Sequence, residues 1–314
     1  MAAVVAVTVT VVAASSSPAA ANVGDSWTLR RRLPRTTQHA GGAALHRRLY
    51  VVGGEDRRAP IRTFQRYDPG TNRWRTRASL PARRSRVGVV AADGRIYAIG
   101  GMTPDRGPSR SLFRYNPSSD RWGSRTPLPT ALSGVAPATA LANGHETIFV
   151  FGGRDDRGRP RGWAFAYDTE TDGWTALTPM PVALTDASAV RIGSVVFVLG
   201  GVDALGNASS RLFAYDVATD TWAAAASMRS NTFGPIGAVV GRDGRIYAIG
   251  LDWSGRRVDA YDPATDGWSG SPPDLRRAQA FAAVGRIGRR IYAAGGNPAS
   301  LTLSSSTLES LRVT

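Results

Sequence analysis

Short runs of apolar, mostly β-branched and aromatic residues recur along the chain, and most of them end in a pair of glycines. Five runs follow this pattern: Leu49–Gly54, Ile96–Gly101, Ile148–Gly153, Val196–Gly201 and Ile291–Gly296. Consecutive apolar positions over this length are typical of a strand buried on both faces, and terminal glycines let neighbouring backbones approach closely. A sixth run deviates, because Leu251 follows Gly250. The pattern predicts an all-β protein with a repeated central strand.

Aromatic residues repeat with the same period as these strands. Six tryptophans are separated by 47, 48, 52, 48 and 46 residues: Trp27, Trp74, Trp122, Trp174, Trp222 and Trp268. A tyrosine lies seven residues before each of the last five: Tyr67, Tyr115, Tyr167, Tyr215 and Tyr261. A unit of this length fits four short strands repeated around a closed ring. We therefore expect these aromatic residues to form the core between repeats.

The segment between each tyrosine and its tryptophan has the composition of a tight turn. Residues 67–74 have the sequence Tyr-Asp-Pro-Gly-Thr-Asn-Arg-Trp, and residues 261–268 are closely similar. An Asp at the start of a turn accepts hydrogen bonds from the backbone ahead of it, and Pro presets φ. These acids are predicted to cap turns and not to bind metal or substrate.

A hydrophobic strand with Gly-Gly, followed 13 or 14 residues later by Tyr-Asp-Pro-x-Thr-x-x-Trp, resembles the kelch repeat over roughly residues 25 to 311. The Gly-His and Trp-Asp signature of another propeller class is absent, and so is the Asp-box. The resemblance implies a six-bladed β-propeller with four antiparallel strands per blade. It also implies that the loops before each inner strand and after each glycine pair share one rim, the usual binding face of kelch propellers.

The way the ring closes can also be predicted. The segment around Trp27 carries the tryptophan of an outermost strand without the strands that should precede it, whereas the last repeat has Gly295 and Gly296 but no later tryptophan. The N-terminal strand is therefore expected to complete the last blade beside Ile291, which leaves no open sheet edge. We assign residues 25–314 to one six-bladed kelch propeller, closed by this strand.

Residues 1–24 differ in kind from the rest of the chain. An uncharged Ala/Val/Thr stretch is followed by small residues of the kind that an export peptidase prefers, although no Arg precedes Arg30. We interpret this segment as a signal peptide of a secreted or exported protein; the alternative is a disordered Ala-rich tail on a cytoplasmic protein. The apolar run is too short for a membrane span, which requires about 20 residues.

The basic residues are distributed unevenly. All 39 are arginines, of which 22 lie in residues 1–130 beside 7 acidic residues, whereas residues 131–314 hold 17 of each sign. Exclusive use of arginine is typical of a nucleotide composition bias, but its concentration in the first two blades raises the local potential. The asymmetry favours an anionic partner. A nucleic-acid partner is not expected, because no recognised motif or aromatic interleaving accompanies the charge.

Candidate binding residues follow from the predicted rim. Counting back 14 residues from the first glycine of a pair gives one position per blade that faces the channel mouth, namely His39, Arg86 and Asp186. Arg86 resembles the arginine before Ile-Gly-Val in kelch proteins that bind acidic peptides; the alternative is an arginine solvated in a loop. The predicted binding rim consists of His39, Arg57, Arg58, Arg83, Arg84, Arg86 and Asp186.

Several kinds of chemistry are excluded or disfavoured by composition. The chain has no cysteine, which rules out disulfides, thiolate nucleophiles and the Tyr-Cys cofactor of galactose-oxidase-type propellers. Its three histidines lack metal-ligand spacing, so we expect no metal and no cofactor. An acid/base pair of His39 and Asp186 across the channel would lack a nucleophile and an electrostatic clamp, so no catalytic residue is assigned.

The sequence therefore favours a monomeric binding propeller that displays a variable rim of loops to an anionic protein, peptide or glycan. The alternative is an exported carbohydrate-active enzyme, because a six-bladed kelch propeller with a signal peptide is similar to bacterial N-acetylneuraminate epimerases. Such an enzyme would need an acid/base pair and an arginine clamp for the sugar carboxylate at the channel mouth. Arg86 is the candidate clamp, and the acid is left unassigned.

Overall fold

A computed structural model of the chain describes residues 26–57, 59–142, 144–229, 236–252, 254–270, 272–297 and 304–313. These residues form six four-stranded antiparallel sheets and one short two-stranded hairpin. Each innermost strand contacts the innermost strands of the preceding and following sheets, so that the sheets follow one another around a ring. The predicted six-bladed β-propeller is confirmed. The expected signal peptide or Ala-rich tail, residues 1–24, lies outside the described residues.

The four strands of each blade follow one another from the channel outward. Blade 1 consists of Gly41–Leu45, Arg48–Val52, Phe64–Asp68 and Arg73–Thr76. Blade 2 consists of Gly88–Ala92, Arg95–Ile99, Leu112–Asn116 and Arg121–Arg125. Blade 3 consists of Ala136–Ala142, His145–Phe151, Ala164–Asp168 and Gly173–Ala176.

The second half of the ring repeats this order. Blade 4 consists of Ser188–Ile192, Val195–Leu199, Leu212–Asp216 and Thr221–Ala225. Blade 5 consists of Gly237–Val240, Ile246–Ile249, Val258–Asp262 and Gly267–Ser269. Blade 6 consists of Ala283–Ile287, Arg290–Ala294, Leu308–Arg312 and Thr28–Leu29. The extra hairpin on the rim of blade 1 pairs Glu55–Asp56 with Ala59–Pro60.

The second strand of each blade lies between the two neighbouring blades and is buried on both faces. Val195–Leu199 is buried at every position, as its unbroken apolar sequence predicts. The glycine pair that follows the second strand of a blade lies where that blade closely approaches the next one. At Gly100 φ is +61°, and a Cβ atom would lie 2.4 Å from the Leu132 carbonyl oxygen in the next blade. Any larger residue at this position would collide with backbone, which explains why the strands end in glycine.

The ring closes through the N-terminal strand, as the sequence predicts. Thr28 and Leu29 pair with the third strand of blade 6 in antiparallel register. Trp27 is 1% exposed and belongs to the same buried cluster as Ile291. Its indole Nε1 donates a hydrogen bond of 2.8 Å to the Pro273 carbonyl. The outer edge of the third strand of blade 6 is thereby covered.

Every blade is fastened to the preceding one by the same aromatic contact, which we call the latch: an indole N–H that donates to a backbone carbonyl just before that blade. In blade 2, Trp122 donates to the Ala78 carbonyl at 2.8 Å, and Asp120 accepts both the Ala78 N–H and the Tyr115 hydroxyl. The residue after the turn tyrosine caps its own backbone, as predicted for the acids there; Asp68 accepts the Gly70 N–H at 2.9 Å, and in blade 2 Asn116 takes this role. The interblade role of the second acid was not predicted.

Candidate functional site

One residue with positive φ precedes the inner strand of each of five blades at the channel mouth. The φ angles are 52° at His39, 48° at Arg86, 65° at Gly134, 58° at Asp186 and 61° at Phe281. Backbone hydrogen bonds join four of them from blade 1 to blade 4, because Arg86, Gly134 and Asp186 each donate an N–H to the carbonyl of the preceding member at 2.7–3.0 Å. Non-glycine residues with such a left-handed backbone conformation are strained by about 1–3 kcal/mol. Strained residues of this kind are concentrated at functional sites.

These five residues line a cavity of about 170 Å³ at the entrance of the channel. A wider cavity of about 490 Å³ shares His39, Arg86 and Phe281 with it and extends toward the rim loops. Four arginines line this wider cavity beside a single carboxylate, Glu55: Arg83, Arg86, Arg106 and Arg154. The two cavities together form a funnel that narrows toward the channel, which we call the mouth funnel.

An ion pair crosses the narrow end of the mouth funnel. Arg86 Nη1 of blade 2 lies 2.5 Å from Asp186 Oδ2 of blade 4, and the Asp186 side chain is 5% exposed. Gly134 of the intervening blade 3 makes room for this pair, because a Cβ atom there would lie 2.6 Å from Asp186 Oδ1. The pair neutralises Arg86 internally, so an incoming anion must compete with Asp186 for its guanidinium.

His39 is the least satisfied polar group at the mouth. Its side chain is 10% exposed, its ring stacks on Phe281 at 4.3 Å, and neither ring nitrogen has a hydrogen-bond partner. Burial, assisted by the charge of Arg86, holds the pKa of His39 well below its ordinary value, although Glu55 Oε2 lies 3.7 Å from Nδ1. A neutral imidazole has one donor and one acceptor, and in His39 both are buried without a hydrogen-bond partner. The Oε1 atom of neighbouring Gln38 is likewise buried without a partner.

The structure brings together some of the predicted rim residues and separates others. His39, Arg86 and Asp186 meet at the narrow end of the funnel, and exposed Arg83 lines its wide end. Asp186 pairs with Arg86, so the carboxylate beside His39 belongs to Glu55 and not to Asp186.

Two of the remaining predicted arginines, Arg84 and Arg57, do not line the funnel. Arg84 turns back into its own blade and donates to the Arg83 carbonyl at 2.8 Å and to Ser109 Oγ at 3.0 Å. Burial lowers the pKa of Arg84 from its ordinary value. Arg57 is exposed at the turn of the rim hairpin with φ 48°. Arg58 lies outside the described residues.

Phe281 is a funnel residue that the predicted rim left out although a signal existed. It lies 14 residues before Gly295, the same offset that identified His39 in blade 1. Arg154 and Glu55 were expected on the rim, because each directly follows a glycine pair, in blades 3 and 1. Both of these positions form bridges with the segments that precede the inner strands, which places them around the mouth.

No group of three or more metal-ligating side chains in the described ranges is placed to hold an ion. No helix in the same ranges has the length and apolar content that crossing a membrane requires.

Comparisons with known proteins agree with this architecture. Residues 86–296 match the KLHDC2/KLHL20/DRC7 Kelch-repeats domain, and residues 37–81 match the Kelch motif. Kelch-like protein 35 of Mus musculus is 30% identical over 138 residues, which are 44% of this chain and 22% of that protein. Kelch-like protein 3 of Homo sapiens is 42% identical over 72 residues, 23% of this chain and 11% of that protein. The chain thus matches less than a quarter of the length of these relatives.

The solved structure of YjhT superposes with a TM-score of 0.75 and covers 91% of this chain and 99% of its own. Its sequence identity of 15% means that this likeness shows the fold alone. The Kelch-repeats match covers more than half of the sequence and includes the glycine pairs of blades 2, 3, 4 and 6. The chain therefore belongs to the Kelch-repeat β-propeller family.

Proposed function

We propose that the protein is an interaction module that captures an anionic protein, peptide or glycan at the mouth funnel. The observation that carries this proposal is the charge of the funnel wall, where four arginines line the wider cavity beside Glu55 and only one of them, Arg86, is paired with a carboxylate of the described residues, Asp186. Three of them, Arg83, Arg106 and Arg154, have no carboxylate oxygen within 4.0 Å in the described part of the chain. Like charges lining a concave, low-dielectric surface focus the potential and attract an oppositely charged partner.

The depth of the funnel adds a second requirement for the partner. His39 and Gln38 line the wider cavity, and their unpartnered polar atoms lie buried in its wall. A polar ligand group beside them offers hydrogen bonds that an apolar group does not. A partner that fits presents carboxylates or sulfates to the arginines around the wall and inserts a polar tip next to His39. Charge-assisted contacts to guanidinium groups are roughly twice as strong as neutral hydrogen bonds, so they supply both affinity and orientation.

A titration with a labelled oligo-glutamate peptide and its oligo-glutamine counterpart tests this proposal. We expect only the acidic peptide to bind, and we expect its affinity to fall steeply as salt rises from about 0.05 to 0.5 M, because screening shortens the range of the attraction. Arg154→Gln should weaken binding roughly 2- to 10-fold. Arg86→Lys should also weaken it despite the retained charge, because the guanidinium fork is lost. An acidic oligosaccharide in a parallel titration distinguishes a glycan from a peptide partner.

The matched control is Arg121→Gln, which removes an exposed arginine from the outermost strand of blade 2, away from the funnel. If Arg154→Gln and Arg121→Gln lowered the peptide affinity equally, the net charge of the protein would explain the binding. Binding that is indifferent to salt, or no binding at low salt, contradicts the proposal.

A second candidate is a carbohydrate-active enzyme of the N-acetylneuraminate epimerase type. One observation favours it: His39, held neutral, lies 3.7 Å from Glu55 and shares the funnel with Arg86. In this candidate His39 is the base, Glu55 the acid and Arg86 the clamp for the sugar carboxylate. The test is the rate of N-acetylneuraminate mutarotation in the presence of purified protein. Acceleration that is lost in His39→Gln supports catalysis, and a rate equal to that of buffer removes this candidate.

A further inference from the structure

The outer strands of blade 1 carry a second concentration of positive charge, formed by residues other than those of the mouth funnel. Arg66 on the third strand stands directly opposite Arg75 on the fourth, and Asp68 stands opposite Arg73. Side chains in such cross-strand positions share one face of the sheet, with Cβ atoms about 5 Å apart. Two like charges directly opposite each other destabilise a sheet. Arg66 and Arg75 therefore form an unfavourable pair unless a counter-charge joins them.

Nothing in the described residues provides that counter-charge at contact distance. Asp68 is already engaged, because it lies 3.1 Å from Arg48 Nη2 and accepts the Gly70 N–H at 2.9 Å. No carboxylate oxygen of the described residues lies within 4.0 Å of the guanidinium groups of Arg66, Arg73 or Arg75. The Arg66 Nε atom is moreover buried and without a hydrogen-bond acceptor.

Asp120 of blade 2 acts on Arg66 only at longer range. Burial alone would raise the pKa of Asp120, but the Tyr115 hydroxyl, the Ala78 N–H and the charges of Arg77 and Arg66 together hold it below its ordinary value. Arg77 is the arginine in contact with this carboxylate, at 3.3 Å. The Asp120 carboxylate is thus committed to the latch of blade 2, and it does not neutralise the blade 1 arginines.

The same residues surround an open space. A cavity of about 290 Å³ is lined by Arg66, Asp68, Thr71, Arg73 and Arg75. Its volume accommodates a small anion together with part of the molecule that carries it. None of these residues lines the mouth funnel, so the two cationic sites are separate.

The other blades do not repeat this arrangement. At the positions of the Arg66 and Arg75 pair, they have Arg114 with Gly123, Ala166 with Thr175, Ala214 with Ala223 and Ala260 with Ser269. A bias of composition toward arginine would act on every blade alike. Blade 1 alone among these five places two arginines opposite each other, and this specific placement requires another explanation.

We propose that the cavity lined by Arg66, Asp68, Thr71, Arg73 and Arg75 is a binding site for a tetrahedral oxyanion, the sulfate or phosphate group of a ligand, which the three arginines and Thr71 hold while Asp68 stays paired with Arg48. Planar guanidinium forks match two oxygens of such a group, and a threonine hydroxyl adds a further donor. The anion offsets the repulsion between Arg66 and Arg75. The site is therefore stabilised by the ligand that it binds.

Calorimetric titration with inorganic sulfate and with inorganic phosphate, at ionic strength held constant with chloride, tests this site. We expect both anions to bind and to raise the melting temperature, whereas planar, monovalent acetate does neither. Arg75→Thr should weaken binding of both anions by roughly 5-fold or more, because it removes one charged fork. Arg121→Thr, an equivalent loss of an exposed arginine opposite neutral Asn116, should leave the affinity unchanged.

Three results overturn the proposal. Sulfate and phosphate that bind no better than acetate would show that the arginines form no site. Equal losses in Arg75→Thr and Arg121→Thr would attribute binding to net charge. Loss in Arg154→Gln with retention in Arg75→Thr would assign the anions to the mouth funnel, which would leave the binding module intact and remove only the blade 1 site.

Discussion

Blades 1 and 3 are built on the same backbone plan, and the face that each turns to the preceding blade is nearly identical. Trp74 donates its indole N–H to the Arg31 carbonyl at 2.8 Å, and Trp174 donates to the Thr126 carbonyl at 2.9 Å. The residue whose carbonyl accepts the indole N–H also donates its own backbone N–H to a turn side chain. Arg31 donates to the amide oxygen of Asn72, and Thr126 donates to the carboxylate of Asp172. The contacts between blades are thus repeated within the molecule, because each must close the same ring.

The opposite faces of the two hairpins differ. Blade 1 places Arg66 opposite Arg75, whereas blade 3 places Ala166 opposite Thr175 in the same register. Neither pair takes part in the latch, so the fold tolerates both. The repeat therefore specifies the latch contacts, while positions outside the latch are free to carry binding chemistry. Substitutions at the two kinds of position can test that separation.

Replacing latch tryptophans should give the largest effects and should not distinguish blade 1 from blade 3. We expect Trp27→Ala to lower the free energy of unfolding by about 3–5 kcal/mol, because this side chain is fully buried and holds the closing strand. Trp74→Ala and Trp174→Ala, at partly exposed positions, should each cost roughly 1–3 kcal/mol. Denaturant unfolding measures all three. A difference of more than about 1 kcal/mol between the latter two would show that the latches are not equivalent.

The tyrosine hydroxyls should reveal one difference between the latches. Tyr67 donates to the neutral amide oxygen of Asn72 at 2.7 Å, whereas Tyr167 donates to the carboxylate of Asp172 at 2.6 Å. Hydrogen bonds to charged groups contribute about 1.5–3 kcal/mol and neutral ones about 0.5–1.5 kcal/mol. We therefore expect Tyr167→Phe to destabilise the protein more than Tyr67→Phe. The Asn72→Asp variant tests the cause. In that background, Tyr67→Phe should destabilise the protein as much as Tyr167→Phe destabilises the parent.

Alkaline pH should destabilise the protein through the same hydroxyls. Burial, with help from neighbouring Tyr292, raises the pKa of Tyr67 to about 12, and burial together with Asp172 raises the pKa of Tyr167 further. The unfolded chain loses these protons near pH 10, so stability is full below pH 10 and falls as pH rises toward the folded pKa. Removing the hydroxyl in Tyr67→Phe should flatten this decline by up to about 1.4 kcal/mol per pH unit. An unchanged slope between pH 10 and 12 would contradict the assignment.

The fold was predictable because its signals are periodic. Residues spaced by one repeat occupy equivalent positions, so the missing tryptophan of the last repeat identified Trp27 as its substitute, and a fixed offset from the glycine pairs identified His39, Arg86 and Asp186. The contacts among these residues do not follow from periodicity. That Arg86 reaches Asp186 depends on the small size of Gly134 in the blade between them.

The position of the charge shows where sequence reasoning stopped short. The excess of arginine in residues 1–130 indicated a sector of the ring, but it did not separate the mouth from the outer strands. A hairpin register could have done so, because pairing Tyr67 with Trp74 necessarily places Arg66 opposite Arg75. The inward turn of Arg84 toward Ser109 had no such signal, since it depends on local packing of the rim.

The smallest expected effect is the most direct test of the difference between the two blades. Arg75→Thr gives blade 1 the residue that blade 3 has at this position, and it removes a like charge opposite Arg66. At low ionic strength and without sulfate or phosphate, this change should stabilise the protein by about 0.2–1 kcal/mol, although the substitution removes a side chain. Saturating phosphate should reverse the order, because the parent protein gains stability from the bound anion and the variant does not.

The reciprocal change in blade 3 is the matched control for this prediction. Thr175→Arg introduces an arginine in the same register, but the residue opposite is Ala166, so no like-charge pair forms. We expect its stability to stay within about 0.5 kcal/mol of the parent, with no added response to phosphate. If Thr175→Arg were as destabilising as Arg75→Thr is stabilising, the general positive charge of the protein would explain both, and the pairing of Arg66 with Arg75 would have no special effect. Opposite responses to phosphate in the two variants would instead attribute the difference between the blades to that pair.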